Sequence, residues 1–138
     1  MTKLVVDASA AASWLLASQA TPSALDLLDR LPTFDPIAPV IFRWEIGNLL
    51  VRQARRDRGF DLQEAFALLD GFRVATAEAA VRDDVRRLSG FAAARRLSLF
   101  DAAYLWLALA IDGAVASRDG SLLDAARDAG VDVFDLRG

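Results

Sequence analysis

The sequence contains neither cysteine nor histidine, and Lys3 is the only lysine among its 16 basic residues. The missing cysteine and histidine exclude disulfide scaffolds, thiolate and imidazole metal sites, cysteine nucleophiles and histidine-dependent catalytic triads. A single lysine near the N-terminus also disfavours Schiff-base and P-loop chemistry. Any acid–base or metal chemistry of this chain must therefore use oxygen atoms.

Long hydrophobic runs are also missing. The longest uninterrupted apolar stretch, residues 102–111, is much shorter than the roughly 18 residues that a membrane span requires. The apolar run at residues 4–6 ends at Asp7, which is too short for a secretory signal. We therefore expect a cytoplasmic protein without a membrane segment. The net charge of -3 and the pI near 4.9 disfavour a general nucleic-acid coat, but they allow a local basic patch.

The sequence does contain enough apolar material for a hydrophobic core. It has 138 residues, the size of one ordinary domain, and 54% of them are hydrophobic. We find no internal repeat, no low-complexity tract and no linker long enough to separate two domains. One domain over residues 1–138 is therefore the expectation.

Short apolar runs alternate with helical segments along the chain. The runs predict strands at residues 4–6, 37–39, 72–75, 114–116 and 131–134. The segments between them predict helices at residues 8–18, 22–31, 42–56, 62–69, 77–95, 99–111 and 121–129. Uniformly apolar strands are typical of parallel sheets that are covered on both faces. The pattern predicts an α/β fold, a three-layer α/β/α sandwich around a short parallel sheet of about five strands, with any site at the carboxyl ends of the strands.

Three aspartates stand at positions where a strand has ended or a helix begins. Asp7 follows the first predicted strand, Asp119 lies just beyond the fourth, and Asp101 comes three residues after Ser98 at the start of a helix. Helix N-capping would explain each of them without any further role. Asp101 has no arginine on its helical face to balance its charge, so it needs a partner from elsewhere. The sequence leaves both interpretations open.

Glu45 lies beside the apolar face of its predicted helix and has no basic partner one turn away. Asn48 and Arg52 continue the same polar stripe, which is either a solvated helix face or a surface that meets a metal ion and a phosphate. Converging carboxylates would repel one another and raise their pKa values unless a cation intervened. A hard divalent ion such as Mg²⁺ suits a site that offers only oxygen ligands.

Four segments together resemble the PIN-domain ribonucleases, and more narrowly the VapC-type toxins of toxin–antitoxin pairs. They are LVVDAS at residues 4–9, WEIGN at 44–48, FDAAY at 100–104 and ASRDGSL at 116–122. The resemblance covers nearly the whole chain, and the acids occur in the family's order. It implies a PIN-like fold with a catalytic centre that binds one or two Mg²⁺ or Mn²⁺ ions. Its implied ligands are Asp7, Glu45, Asp101 and Asp119, supported by Ser9, Asn48 and Ser117.

The same resemblance implies a Mg²⁺-dependent endoribonuclease that hydrolyses RNA phosphodiesters with metal-activated water and acts as a toxin. The expected partners are a single-stranded loop of a structured RNA, a VapB-like antitoxin and a second copy of the chain. The candidate RNA-binding side chains are Arg52, Arg55, Arg56, Arg86 and Arg87, with Arg82 near the last two. Trp14 and Leu15 are candidates for the wall of an antitoxin groove near the acids, whereas Trp44 and Trp106 are expected inside the core.

Two other functions compete with this interpretation. The first is a non-catalytic α/β interaction module whose acids only cap helices. The second, a phosphotransfer or phosphatase domain, is weakened by particular residues. A receiver domain needs a lysine late in the chain, and the phosphatase pattern needs an aspartate where Ser9 stands.

Overall fold

The computed structural model describes residues 1–77 and 84–138, and within them it forms a parallel sheet flanked by helices. The strands are β1 (Thr2–Val6), β2 (Phe34–Pro39), β3 (Ala75–Ala77), β4 (Ala114–Ser117) and β5 (Val133–Asp135). The helices are α1 (Ala8–Leu15), α2 (Pro22–Arg30), α3 (Ile41–Arg56), α4 (Leu62–Gly71), α5 (Asp84–Arg95), α6 (Leu99–Ile111) and α7 (Gly120–Asp128). Short 3-10 turns follow α1 and α2 at Ala17–Gln19 and Leu31–Thr33.

The five strands pair in the order β3-β2-β1-β4-β5, and every pairing is parallel. Helices α1, α2, α3 and α4 contact one another, and α6 packs against α5 and α7. This grouping gives one helical layer on each face of the sheet, which confirms the predicted three-layer α/β/α sandwich. Leu4, Val5 and Val6 are fully buried, as expected for a central strand that is covered on both faces.

The connections between strands place a crevice between β1 and β4. From β1 the chain moves outward to β2 and then to β3, and from β3 it crosses back to the other side of β1 to form β4. At such a switch point the helices that follow two neighbouring strands leave on opposite faces, which opens a crevice at the carboxyl ends. In the register of β1 and β4, Val6 is paired with Ala116, so Asp7 and Ser117 come next at that edge.

Two strands, β2 and β3, begin three residues away from their predicted starts, and each difference has a local reason. The third strand begins at Ala75, not at residue 72, because Phe72 caps α4 and Arg73 has a positive φ of 55°, a left-handed conformation that cannot be extended strand. The second strand begins three residues earlier than residue 37. Pro36 is tolerated in it because β3 pairs with β2 only from Ile37 onward.

The predicted helix at residues 77–95 is described only in part. Ala77 belongs to β3, α5 covers Asp84–Arg95, and residues 78–83, which include Arg82, lie outside the described residues. In the described part of the chain, no helix is both long enough and apolar enough to cross a membrane.

Helix α6 contacts β1, β2 and β4, so its buried face supports the part of the sheet that forms the crevice. Leu105 of α6 is fully buried, whereas Leu109 on the same helix is exposed. We expect Leu105→Ala to lower the free energy of unfolding by about 2–5 kcal/mol, since it removes buried methyl groups and leaves a cavity. Urea denaturation followed by circular dichroism measures the change. Leu109→Ala is the matched control, with an expected change within about 0.5 kcal/mol; equal losses for the two variants would contradict the assignment.

Candidate active site

A cavity of about 590 Å³ opens at the carboxyl edge of the sheet, where the crevice between β1 and β4 lies. All four acids singled out from the sequence line it: Asp7, Glu45, Asp101 and Asp119. They come from four places in the chain, namely the end of β1, the middle of α3, the first turn of α6 and the start of α7. The fold therefore brings together side chains that lie up to 112 positions apart, the difference between 119 and 7.

Asp7 is buried at the end of β1 and held by three hydrogen bonds. Its Oδ1 accepts from the Ala10 backbone N–H at 2.8 Å and from the Ser9 hydroxyl at 2.7 Å. Its Oδ2 accepts from the Ser117 hydroxyl at 2.5 Å. Burial raises the pKa of Asp7 to about 6, although the three hydrogen bonds act in the opposite direction. Asp7 is thus both the N-cap of α1 and a lining residue of the cavity, so the two interpretations of its position are compatible.

Ser9 and Ser117 connect Asp7 to the loop that carries Asp119. The Ser9 Oγ accepts from the backbone N–H of Arg118 at 2.8 Å, and the Ser117 Oγ accepts from the backbone N–H of Asp119 at 2.8 Å. Because each serine donates to Asp7 and accepts from this loop, the two hydroxyls set the position of β4's C-terminal end relative to β1. Both serines therefore fix the position of the Asp7 carboxyl group relative to the loop that carries Asp119.

Asp101 and Asp119 line the cavity from the starts of α6 and α7. The Asp101 backbone N–H donates to the Ser98 hydroxyl at 3.0 Å, so Ser98 caps α6 and the Asp101 carboxyl group is left to line the cavity. Burial, a carboxyl–carboxyl hydrogen bond with Asp119 and the negative charges of Asp119, Asp7 and Glu45 raise the pKa of Asp101 to about 7. Asp119 itself caps α7 by accepting from the backbone N–H of Ser121 at 2.9 Å.

Glu45 points into the cavity and is held by a residue that the sequence did not single out as part of the site. The Tyr104 hydroxyl donates to Glu45 Oε1 at 2.6 Å. Tyr104 is almost completely buried, and its burial together with the Glu45 charge raises its pKa well above the usual range, so it keeps its proton as a donor. The signal for Tyr104 was its position one turn after Asp101, together with the rule that a buried tyrosine hydroxyl needs a partner.

The donor set of the cavity fits a hard divalent cation. The four acidic side chains offer only oxygen, and none of them takes part in an ion pair with the described arginines or lysine. Burial is the largest cause of the raised pKa values of Asp7 and Asp101, and the negative charges of neighbouring acids raise them further. Among residues 1–77 and 84–138, no three acidic side chains form a preassembled chelating group. Mg²⁺ is commonly held by one or two carboxylates together with waters and substrate phosphate.

The polar stripe on α3 continues from Glu45 along the cavity wall. Asn48 and Arg52, one and two turns further on, both line the cavity. The other arginines predicted to bind RNA are exposed and do not line it: Arg55, Arg56, Arg86 and Arg87. The structure therefore separates one arginine at the cavity from a set of outer arginines on α3 and α5.

The prediction for two tryptophans was wrong. Trp44 and Trp106 were expected in the core, but Trp44 is 76% exposed on the rim of the cavity and Trp106 is 38% exposed. A helix in the outer layer buries only the face it turns to its neighbours, and Trp44 is not on that face. Conversely, Trp14 donates from its indole N–H to the Ala24 carbonyl at 2.9 Å and packs edge-on against Phe72. Trp14 and Leu15 pack against the core and do not line the acidic cavity.

Comparison with protein families identifies the chain. Residues 4–128 match the family model described as PIN domain. The chain belongs to the PIN domain family. PIN domains are generally nucleases and usually use divalent metal ions.

Two solved structures share this PIN fold. The crystal structure of PAE2754 from Pyrobaculum aerophilum has a TM-score of 0.70 and 20% sequence identity, with 96% of this chain and 90% of that chain covered. The crystal structure of FitAcB from Neisseria gonorrhoeae has a TM-score of 0.57 and 18% identity, with 96% of each chain covered. No curated protein matches the sequence. At these identities the likeness supports the PIN fold alone.

The pKa of Asp101 gives a test of the uncompensated charge. Because its folded-state value of about 7 lies above the ordinary 3.8, the folded protein releases this proton later than the unfolded chain. Stability is therefore lost as pH rises through this range. We expect Asp101→Asn to raise the metal-free Tm at pH 8 by roughly 3–5 °C, about 1 kcal/mol after allowance for its partial exposure, with a smaller gain at pH 5.

Thermal denaturation in EDTA at pH 5 and pH 8 provides the measurement. Asp29→Asn, on the exposed side of α2, is the control for the loss of one negative charge. The same Tm gain at both pH values, or an equal pH-dependent gain in Asp29→Asn, would show that the half-buried charge of Asp101 and its repulsion by neighbouring acids are not the cause.

Proposed function

We propose that this chain is a Mg²⁺- or Mn²⁺-dependent endoribonuclease that acts as the toxin of a toxin–antitoxin pair. One observation supports it above the rest: four carboxyl groups from distant parts of the chain line one cavity at the sheet's switch point, and none of them forms an ion pair with a described arginine or lysine. Capping alone does not explain this arrangement. Glu45 caps no helix, and Ser98 already caps α6.

The proposed ligands of the ion are Asp7, Glu45, Asp101 and Asp119, which are also the proposed catalytic residues. Ser9 and Ser117 hold the Asp7 carboxylate, and Tyr104 holds that of Glu45. A carboxylate that is already held by hydrogen bonds loses little conformational freedom when an ion binds. These hydrogen bonds therefore raise the metal affinity by placing the ligand oxygens in advance. Asn48 lies one turn from Glu45 and offers an amide to a ligand in the same cavity.

The proposed reaction is hydrolysis of an RNA phosphodiester. A divalent ion, when bound, supplies the acidity that activates water and the charge that stabilises the phosphate oxygens. Asp101 accepts a hydrogen bond from the attacking water and orients its oxygen toward the phosphorus. A bond forms between the water oxygen and phosphorus as the water loses a proton to solvent, the bond from phosphorus to the 3′ oxygen breaks, and that oxygen takes a proton from solvent. The products are a 5′-phosphate and a 3′-hydroxyl.

The proposed substrate is a single-stranded loop of a structured RNA. Arg52 at the cavity supplies a cation for a phosphate near the reacting one. The exposed arginines on α3 and α5 supply the weaker, salt-sensitive attraction to the rest of the strand: Arg55, Arg56, Arg86 and Arg87. Unpaired loops fit best because their backbone and bases can enter a narrow cavity.

The proposed setting is the cytoplasm, with a VapB-like antitoxin as inhibitor and a homodimer as the working assembly. These proposals rest on the resemblance to VapC-type toxins carried by the four acidic segments.

The first test is cleavage of RNA by the purified chain. We expect cleavage with Mg²⁺ or Mn²⁺, none in EDTA, and a loss of at least about 100-fold in Asp7→Asn or Asp101→Asn, because each removes one negative ligand from the site. Sequencing of the cleaved ends should show 5′-phosphates. Asp29→Asn serves as the matched control and should cleave like the unaltered chain. Metal-independent cleavage, or full activity of the double variant Asp7→Asn/Asp101→Asn, would contradict a metal nuclease.

The toxin role has a separate test in cells. Induced expression of the chain without a partner should arrest bacterial growth, and the double variant Asp7→Asn/Asp101→Asn should relieve the arrest at equal protein level. If the purified enzyme cleaves RNA but expression leaves growth unchanged, the nuclease stands and the toxin role is wrong.

A further inference from the structure

Two aromatic side chains stand exposed on the rim of the acidic cavity. Trp44 of α3 is 76% exposed and Phe100 of α6 is 50% exposed, and both line the same cavity as the four carboxyl groups. Exposed apolar side chains that stand together beside charged groups are typical of a surface that binds a ligand. They come from two different helices, so the fold and not a single local sequence places both on the rim.

The side of α3 that faces the cavity carries a row of side chains of different chemical kinds. Ile41, Trp44, Asn48 and Arg52 line the cavity at intervals of three or four residues, as one helix face requires. With a rise of 1.5 Å per residue, Trp44 and Arg52 lie about 12 Å apart along the helix axis. Between them are the Glu45 carboxylate and the Asn48 amide. One wall of the cavity thus offers an aromatic ring, a carboxylate, an amide and a cation in sequence.

We propose that Trp44 and Phe100 receive the unpaired bases next to the scissile phosphate of a single-stranded nucleic acid and stack on them. This inference rests on the proposed function, because a phosphate at the carboxylates places its neighbouring bases at the cavity rim. Every base has a π-face, so an aromatic platform binds single strands with little sequence preference. Bases inside a duplex are already stacked on their neighbours and cannot use such a platform. The two rings would therefore select single strands.

A nucleic acid suits this rim better than a protein partner does. The aromatic side chains are continuous with a lining of carboxyl, amide and guanidinium groups, which matches a ligand with alternating phosphates and bases. Arg52 forms no ion pair within the described residues and is available for a phosphate. A second copy of the chain seated on Trp44 would cover the cavity opening and exclude the substrate. Self-association through Trp44 is therefore the competing outcome of the test.

The experiment measures binding separately from cleavage. The probe is a fluorescein-labelled 12-nucleotide single-stranded RNA of mixed sequence, and a second strand of the same length carries abasic nucleotides in its central positions. Fluorescence anisotropy in Mg²⁺ with the background Asp101→Asn, which limits cleavage, gives the affinity. The variants on that background are Trp44→Ala, Trp44→Phe and the control Trp106→Ala, the last at an exposed tryptophan that does not line the cavity.

We expect Trp44→Ala to weaken binding of the normal strand roughly 5- to 150-fold, the range for loss of one stacked base. Trp44→Phe should recover most of this loss because it keeps an aromatic face. Trp106→Ala should bind like the background protein, with circular dichroism confirming its fold. The abasic strand should bind the background protein and Trp44→Ala equally, since the base that Trp44 would stack on is gone.

Equal affinity of Trp44→Ala and the background protein for the normal strand would overturn the proposal. So would an equal loss with the abasic strand, because Trp44 would then act without a base. A change from dimer to monomer in Trp44→Ala, measured by light scattering, together with unchanged RNA affinity would make the rim a protein interface. If the unaltered chain cleaves no RNA but Trp44 still has a base-dependent effect on binding, the stacking proposal stands and the nuclease proposal is rejected. If the unaltered chain cleaves RNA and Trp44 has no base-dependent effect, the nuclease proposal stands and the stacking proposal is rejected.

Discussion

Repulsion among carboxyl groups at the carboxyl ends of β1 and β4 is the constraint on which the rest of the site depends. Asp7 is buried there, and the negative charges of Asp119, Asp7 and Glu45 contribute to the raised pKa of Asp101. Such a cluster opposes folding, so the surrounding structure must hold it in place. The hydroxyls of Ser9 and Ser117 and the backbone N–H of Ala10 do so at Asp7. A divalent cation bound at this place would remove the remaining repulsion.

The sheet topology explains why these acids meet at all. The chain leaves β1 toward β2 and returns on the other side as β4, so the two central strands end side by side with their helices on opposite faces. The helices that follow these strands begin at Asp7 and Asp119, which cap them. Capping and cavity lining are therefore two uses of the same carboxyl groups. The capping geometry points each side chain toward the crevice.

Helices α6 and α3 supply the other side chains of the cavity. α6 packs its buried face on β1, β2 and β4 and presents Asp101 from its first turn, with Tyr104 one turn later bound to Glu45. α3 brings Glu45, Asn48 and Arg52 to the same cavity and leaves Trp44 on the rim. The Tyr104–Glu45 hydrogen bond joins these helices at the site. A shift of α6 would therefore move two of the acidic groups together.

Much of the fold could be predicted from the sequence alone, together with the kind of ligand atom that a site could offer. Without cysteine and histidine, oxygen atoms are the available metal ligands. The short apolar runs and capping residues predicted the parallel sheet and the acids at its edge, because these depend on neighbouring residues. Contacts between distant residues became known only from the folded structure. Tyr104 and Glu45 are 59 positions apart, and no local pattern predicts their pairing. The exposure of Trp44 and the partial burial of Trp14 against the core likewise depend on which surfaces the neighbouring helices cover, so local sequence did not predict that Trp44 lines the cavity and Trp14 does not.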